Sequence, residues 1–149
     1  MIAPVVSAQP VEIPVARPGV QIITAADIEQ AGVVRLGDLF ALIDDWYASS
    51  MDGFAWEVSA NGLGAFEQDN WALLIDGQPV DMRILDAKNI NLLPLSPAQI
   101  AYVEVINTPA LVEGVMASGG ALHIHTRQPF DGPAIQGGFA AGNEIGDPG

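Results

Sequence analysis

The sequence predicts an α+β domain: a small mixed four-stranded sheet with short helices and long loops. Three observations lead there. Short apolar runs of strand length alternate with capped helix starts, the run Trp71-Ala72-Leu73-Leu74-Ile75 is followed at once by Asp76-Gly77, and 16 glycines and 11 prolines keep every element short.

Residues 1–19 carry Pro4, Pro10, Pro14 and Pro18, too dense for a helix or a central strand, and are expected to form a flexible arm. The domain proper is expected over 20–128. It opens with a strand over 20–23, after which Thr24 and Asp27 form an acidic variant of the capping box, and Gly32 stands where a glycine ends a helix. Leu36, Leu39, Phe40 and Ile43 recur at i, i+3, i+4 and i+7, which predicts a second helix with one apolar stripe. Asp44 and Asp45 near its end oppose the helix dipole and are expected to be exposed.

The stretch 49–70, with Gly53, Gly62 and Gly64, reads as loop with a short strand over 54–58. Residues 71–75 are apolar at every position, as in a strand buried on both faces. Asp76-Gly77 predicts a type I′ turn, and Pro79 makes the return strand over 78–83 an edge because it lacks a backbone donor. In Ser96-Pro97-Ala98-Gln99 a cap, a first-turn proline and a capping-box glutamine coincide. A strand over 100–106 follows, and Thr108-Pro109 repeats the cap-then-proline start, predicting a short helix to about Glu113. Gly119-Gly120 turns the chain into a strand over 121–127, in which Leu122, Ile124 and Thr126 face one side and His123 and His125 the other. The glycine-rich stretch 129–149 offers too little side chain for a core element and is expected to be a flexible tail that needs a partner.

Charge narrows the function. Five Lys and Arg against 18 Asp and Glu give −13, so no basic patch exists to neutralise phosphates, which argues against nucleic acid and anionic lipid as partners. No run approaches the roughly 20 apolar residues that a spanning helix needs. The absence of cysteine removes disulfides, thiolate catalysis and cysteine-based zinc sites together. Val6-Ser7-Ala8 before Gln9 resembles the small-residue end of a signal-peptide cleavage site, so the chain is expected to start inside a longer precursor.

Four segments in order resemble the plug of TonB-dependent outer-membrane receptors. The first runs Ile23-Thr24-Ala25-Ala26-Asp27-Ile28-Glu29 and on to Leu36-Gly37-Asp38-Leu39-Phe40; the second is the glycine loop Ser59-Ala60-Asn61-Gly62-Leu63-Gly64. The third, Leu73-Leu74-Ile75-Asp76-Gly77-Gln78-Pro79-Val80, is similar to the family's LVLIDGVPV hairpin. The fourth begins at Ile100-Ala101-Tyr102-Val103-Glu104-Val105-Ile106, passes Pro109-Ala110, Glu113-Gly114 and Gly119-Gly120, and closes on Leu122-His123-Ile124-His125-Thr126. Together they span about 20–128, and Gly137-Gly138-Phe139 resembles the start of a first barrel strand. Asn61 and Asn107 depart from the pattern, standing where the family usually has arginines that face barrel carboxylates.

The resemblance implies a plug that sits inside its own C-terminal β-barrel in the cell outer membrane, facing the periplasm, and gates energised uptake of a siderophore or other scarce nutrient. It implies TonB and a small-molecule substrate as partners, no cofactor and no catalytic residue. Ligand contact is expected at Trp56 and Asn61, and TonB contact at Val11, Glu12, Ile13 and Val15, the closest match to a TonB box. Read without the resemblance, His123 and His125 share a strand face as a pair of metal ligands would, but no third ligand lies near them in sequence, so two surface histidines and no metal are expected. Asp76 is explained by its turn. Two other functions fit parts of the pattern. One is a stand-alone periplasmic binding or signalling module built on the plug fold; the other is a small metal enzyme centred on the two histidines, which would need a third ligand.

Overall fold

The computed structural model describes residues 11–50, 52, 56–60, 70–80, 83–84, 87–112 and 114–127. In chain order the elements are β1 (Val20–Thr24), α1 (Ala25–Gln30), a 3-10 helix (Leu36–Leu42), β2 (Trp46–Ser49), β3 (Glu57–Ala60), β4 (Trp71–Ile75) and β5 (Gln78–Pro79). Then come β6 (Arg83–Ile84), β7 (Ala87–Lys88), 3-10 turns at Ile90–Leu92 and Pro97–Gln99, β8 (Ile100–Ile106), β9 (Ala110–Val112), β10 (Val115–Ala117) and β11 (Gly120–Thr126).

The main sheet has the order β1-β8-β11-β4-β5. It is mixed: β11 lies antiparallel to β8 and parallel to β4. Four longer strands make up the sheet expected from sequence, and the two-residue β5 adds a fifth at the edge.

Alternation along the strands assigns two faces. Ile23, Val103, Val105, Leu122, Ile124, Trp71 and Leu73 point to the larger core, which α1, the 3-10 helix and the β2–β3 hairpin close with Ile28, Leu39, Phe40, Trp46 and Val58. Phe40 meets Trp71 edge-on at 5.7 Å, and Trp46 meets Trp71 at 5.6 Å. The opposite face carries a smaller cluster of Ala72, Leu74, Ala117 and Ala121, covered at one end by the β9–β10 hairpin through Val112. Each fully buried Leu or Ile is worth about 1.5–3 kcal/mol over exposure, so most of the stabilisation lies on the first face.

Local chemistry fixes the element ends. The Thr24 hydroxyl accepts from the Asp27 N–H at 3.2 Å while Asp27 accepts from the Thr24 N–H at 2.8 Å, the reciprocal box that opens α1. Ser96 and Gln99 repeat it ahead of β8. Asp76 and Gly77 both take positive φ, 48° and 79°, as a type I′ turn requires. Gly120, at φ 139°, could carry no side chain, because a Cβ there would run into the Ile106 carbonyl oxygen.

Five readings are corrected. The stripe Leu36, Leu39, Phe40 and Ile43 is buried as expected, but its backbone is a 3-10 helix: Gly37 within so short a segment weakens the α form, and it packs directly beneath the Trp56 indole. The strand placed at 54–58 is β3 at 57–60, and β2 was missed although Trp46 buried and Tyr47 exposed give its alternation. The return strand of the Asp-Gly hairpin stops at Pro79. The helix expected over 108–113 is instead β9, paired with β10 around Gly114. Its cap-then-proline start is a local signal, overridden because the hairpin packs Val112 and Ala117 onto the second face of the sheet.

Candidate functional site

The second face holds a polar cluster in the middle of the sheet. Glu104 on β8 stands opposite His123 on β11, and Tyr102 stands opposite His125. His123 is 8% exposed, the one buried polar or charged residue among those described. Two surface histidines are expected from sequence; His123 is instead buried, its Nε2 against the Asp76-Gly77 turn, while 22% of the His125 side chain is exposed.

Glu104 is shared. Its Oε1 accepts from the Arg17 guanidinium at 2.9 Å, while Oε2 lies 3.9 Å from His123 Nδ1 and 3.6 Å from His125 Nε2. The His125 ring stacks on Tyr102 at 4.2 Å and 15°, and its centroid is 3.9 Å from that of His123. Burial pushes the Tyr102 phenol above its ordinary range, helped by the charges of Glu104 and Asp76. On the other side of His123 the Gly77 N–H donates to Nε2 at 2.8 Å. That bond makes Nε2 an acceptor, so the neutral ring carries its proton on Nδ1, facing Glu104.

Asp76 does more than turn the chain. Its carboxylate accepts from the Thr126 N–H at 2.8 Å and from the Thr126 hydroxyl at 2.6 Å, fastening the turn to the end of β11. The third acid-or-imidazole group absent near His123 in sequence is Glu104, supplied by strand register. The sequence signal for it was a lone carboxylate within the otherwise apolar run 100–106.

The remaining expected site residues are scattered. Trp56 is half-buried against Phe40, centroids 6.0 Å apart, and its indole Nε1 is buried with no hydrogen-bond partner among the described residues. Beside it runs a groove of about 570 Å³ lined by Arg35, Asp52, Asn91 and Ser96, among others. Asn91 Oδ1 accepts from the Gly37 N–H at 2.8 Å, which joins the groove wall to the backbone under Trp56. Asn61 lies outside the described residues. Val11, Glu12, Ile13 and Val15 precede β1 without regular structure, with Ile13 46% and Val15 83% exposed. Arg17 bridges to Val20, and the Asn107 N–H donates to the Gly19 carbonyl at 2.8 Å, so the chain is tied to the sheet just before β1. Asn107 also accepts from the Trp46 indole N–H at 2.7 Å, a use for the residue that stands in place of an arginine.

The family model described as TonB-dependent Receptor Plug Domain matches residues 16–121, from the turn before β1 to the start of β11. The chain belongs to the TonB-dependent receptor plug family. Among solved structures, this plug is similar to the ferric enterobactin receptor PfeA of Pseudomonas aeruginosa, with 27% identity, a TM-score of 0.57, and coverage of 76% of this chain and 18% of that one. It is also similar to the siderophore receptor PirA of Pseudomonas aeruginosa (29% identity, TM-score 0.52, 76% and 19% covered). The ferric yersiniabactin uptake receptor FyuA of Yersinia pestis, at 22% identity and a TM-score of 0.57 (74% and 17% covered), shares the fold. The plug spans less than a fifth of the length of each of these receptors. No curated protein matches the chain.

Proposed function

We propose that this plug gates energised uptake of a siderophore or another scarce nutrient through a β-barrel that follows it in a longer receptor of the cell outer membrane. The plug lies within the barrel and faces the periplasm, and TonB drives it. The observation that carries the reading is the family match over 16–121, supported by siderophore receptors among the similar structures. Physical features agree with it. A segment without regular structure that exposes the apolar side chains of Ile13 and Val15 suits a partner that binds by adding strand to strand. That segment is assigned the TonB contact. Ligand contact is assigned to Trp56 and Asn61; near Trp56, a groove lined by Arg35, Asp52, Asn91 and Ser96 offers polar surface. The chain carries out no bond chemistry in this role.

The test is uptake of a radiolabelled ferric siderophore by cells that carry the full-length receptor as their sole siderophore receptor. Uptake is expected to vanish when TonB is removed, and to fall sharply in Ile13→Pro while ligand still binds at the cell surface. Transport that persists unchanged without TonB would overturn the reading.

A further inference from the structure

We propose that Glu104, His123 and His125 form a binding site for one divalent transition-metal ion of the Zn²⁺ class, coupled to the turn at Gly77. Two imidazoles and a carboxylate are the donor set such an ion takes, with a water completing four. Their ligand atoms all lie within 4.8 Å of one another. Ligands at about 2.0–2.1 Å around a tetrahedral ion are about 3.4 Å apart. The observed 3.6 Å and 3.9 Å separations therefore need to close by a few tenths of an ångström, and the two imidazole nitrogens, within 4.8 Å, draw together with them as the ion binds.

The plain alternative is a hydrogen-bonded polar cluster, and it leaves His125 Nε2 unserved. Neither imidazole reaches Glu104 at hydrogen-bond length, and His125 Nε2 is buried with no hydrogen-bond partner among the described residues. A cation between the three would satisfy that nitrogen and the Glu104 oxygen at once. The frame is rigid, because the ligands come from paired residues at the centre of the sheet, and Arg17 holds the far oxygen of Glu104 so that Oε2 faces the rings. His125, with 22% of its side chain exposed, leaves a way in.

The coupling follows from the proton on His123. A metal at Nδ1 moves that proton to Nε2, where it meets the Gly77 N–H head-on, so the Gly77 bond must open as the ion binds. One hydrogen bond lost weakens binding by up to about tenfold. Because Gly77 sits in the β4–β5 turn, ion occupancy is transmitted to that turn. The proposal stands apart from the receptor reading, and either can fail alone.

Titration calorimetry with Zn²⁺, and with Co²⁺ read by visible absorption, tests the site on the 149-residue chain. One saturable ion per chain, an intense tetrahedral Co²⁺ band and a shift of the Gly77 amide resonance on saturation are expected. Glu104→Gln and His125→Ala should each weaken binding by more than about tenfold. Circular dichroism in chelator checks that the variants fold, and His125→Gln replaces His125→Ala if the latter does not. The pair Asp44→Asn and Asp45→Asn, two exposed acids away from the cluster, should leave binding unchanged. Absence of saturable binding, or binding that survives both Glu104→Gln and His125→Ala, would overturn the proposal. A Gly77 amide that stays in place at saturation would overturn ligation through His123 Nδ1.

Discussion

Neighbouring residues on β11 face opposite worlds. Leu122 and Ile124 are fully buried against aromatic and branched side chains from the 3-10 helix and the β2–β3 hairpin. His123 and His125, each one residue away, look onto Glu104, Tyr102 and a cover of small side chains. The two faces thus divide the labour: bulky apolar packing on one holds the fold, and the other combines thin cover with charge. Large, irreplaceable volume marks the stabilising face, and groups able to exchange partners mark the one open to function.

Substitutions of matched chemistry should show this difference most strongly. Leu122→Asp is expected to abolish cooperative unfolding, since a buried unpaired carboxylate costs several kcal/mol against a total of about 5–15. His125→Ala should keep a cooperative melt, and equal behaviour of the two by thermal circular dichroism would break the assignment of faces. Leu39→Ala, in the larger core, is expected toward the upper end of the usual range of about 2–5 kcal/mol. Leu74→Ala should fall toward the lower end, because its cover is a hairpin that can close onto the space; denaturant midpoints measure both.

Polar fasteners come next in size. Asn107→Ala leaves the Trp46 indole N–H without the 2.7 Å acceptor and should cost about 1–3 kcal/mol in the same measurement. Thr24→Ala removes the cap of α1 and should cost about 1 kcal/mol at neutral pH. Here pH sharpens the result. The Thr24 hydroxyl, and then its backbone N–H, hold the Asp27 carboxyl below its ordinary 3.8. A folded pKa below the unfolded one stabilises above pH 3.8 and is lost as pH falls through the folded value, so the gap between wild type and Thr24→Ala should narrow in acid. Smallest of all, Asp45→Asn, exposed at φ 62°, should stay within about 0.5 kcal/mol, asparagine being equally at ease there.

The sequence made the first face legible and the second only in part. Periodicity found Leu36, Leu39, Phe40, Leu122 and Ile124, because apolar spacing reports directly on burial. Turn and cap chemistry found Thr24–Asp27, Asp76-Gly77 and Ser96–Gln99, where the partners are a few residues apart. The failures concern what only tertiary pairing decides. Thr108-Pro109 signals a helix start locally, yet the sheet recruits the following residues as a hairpin. Glu104 and the two histidines belong to different strands, and only the β8–β11 register shows that they meet. Asn61 lies outside the described residues, and the segment 11–15 shows exposure without revealing a partner.

The division between the two faces is tested most directly by amide hydrogen exchange across the sheet. Amides of Val103, Val105, Leu122 and Ile124 should exchange only through global unfolding, since both neighbours of β8 and β11 are in place and their side chains close the larger core. Those of Val112, Met116 and Ala117 should exchange through a local opening of the β9–β10 hairpin, at a free energy several kcal/mol lower on the order of the burial that separates the two clusters. Equal protection of hairpin and central strands would contradict the account, showing that the second face holds the fold as firmly as the first.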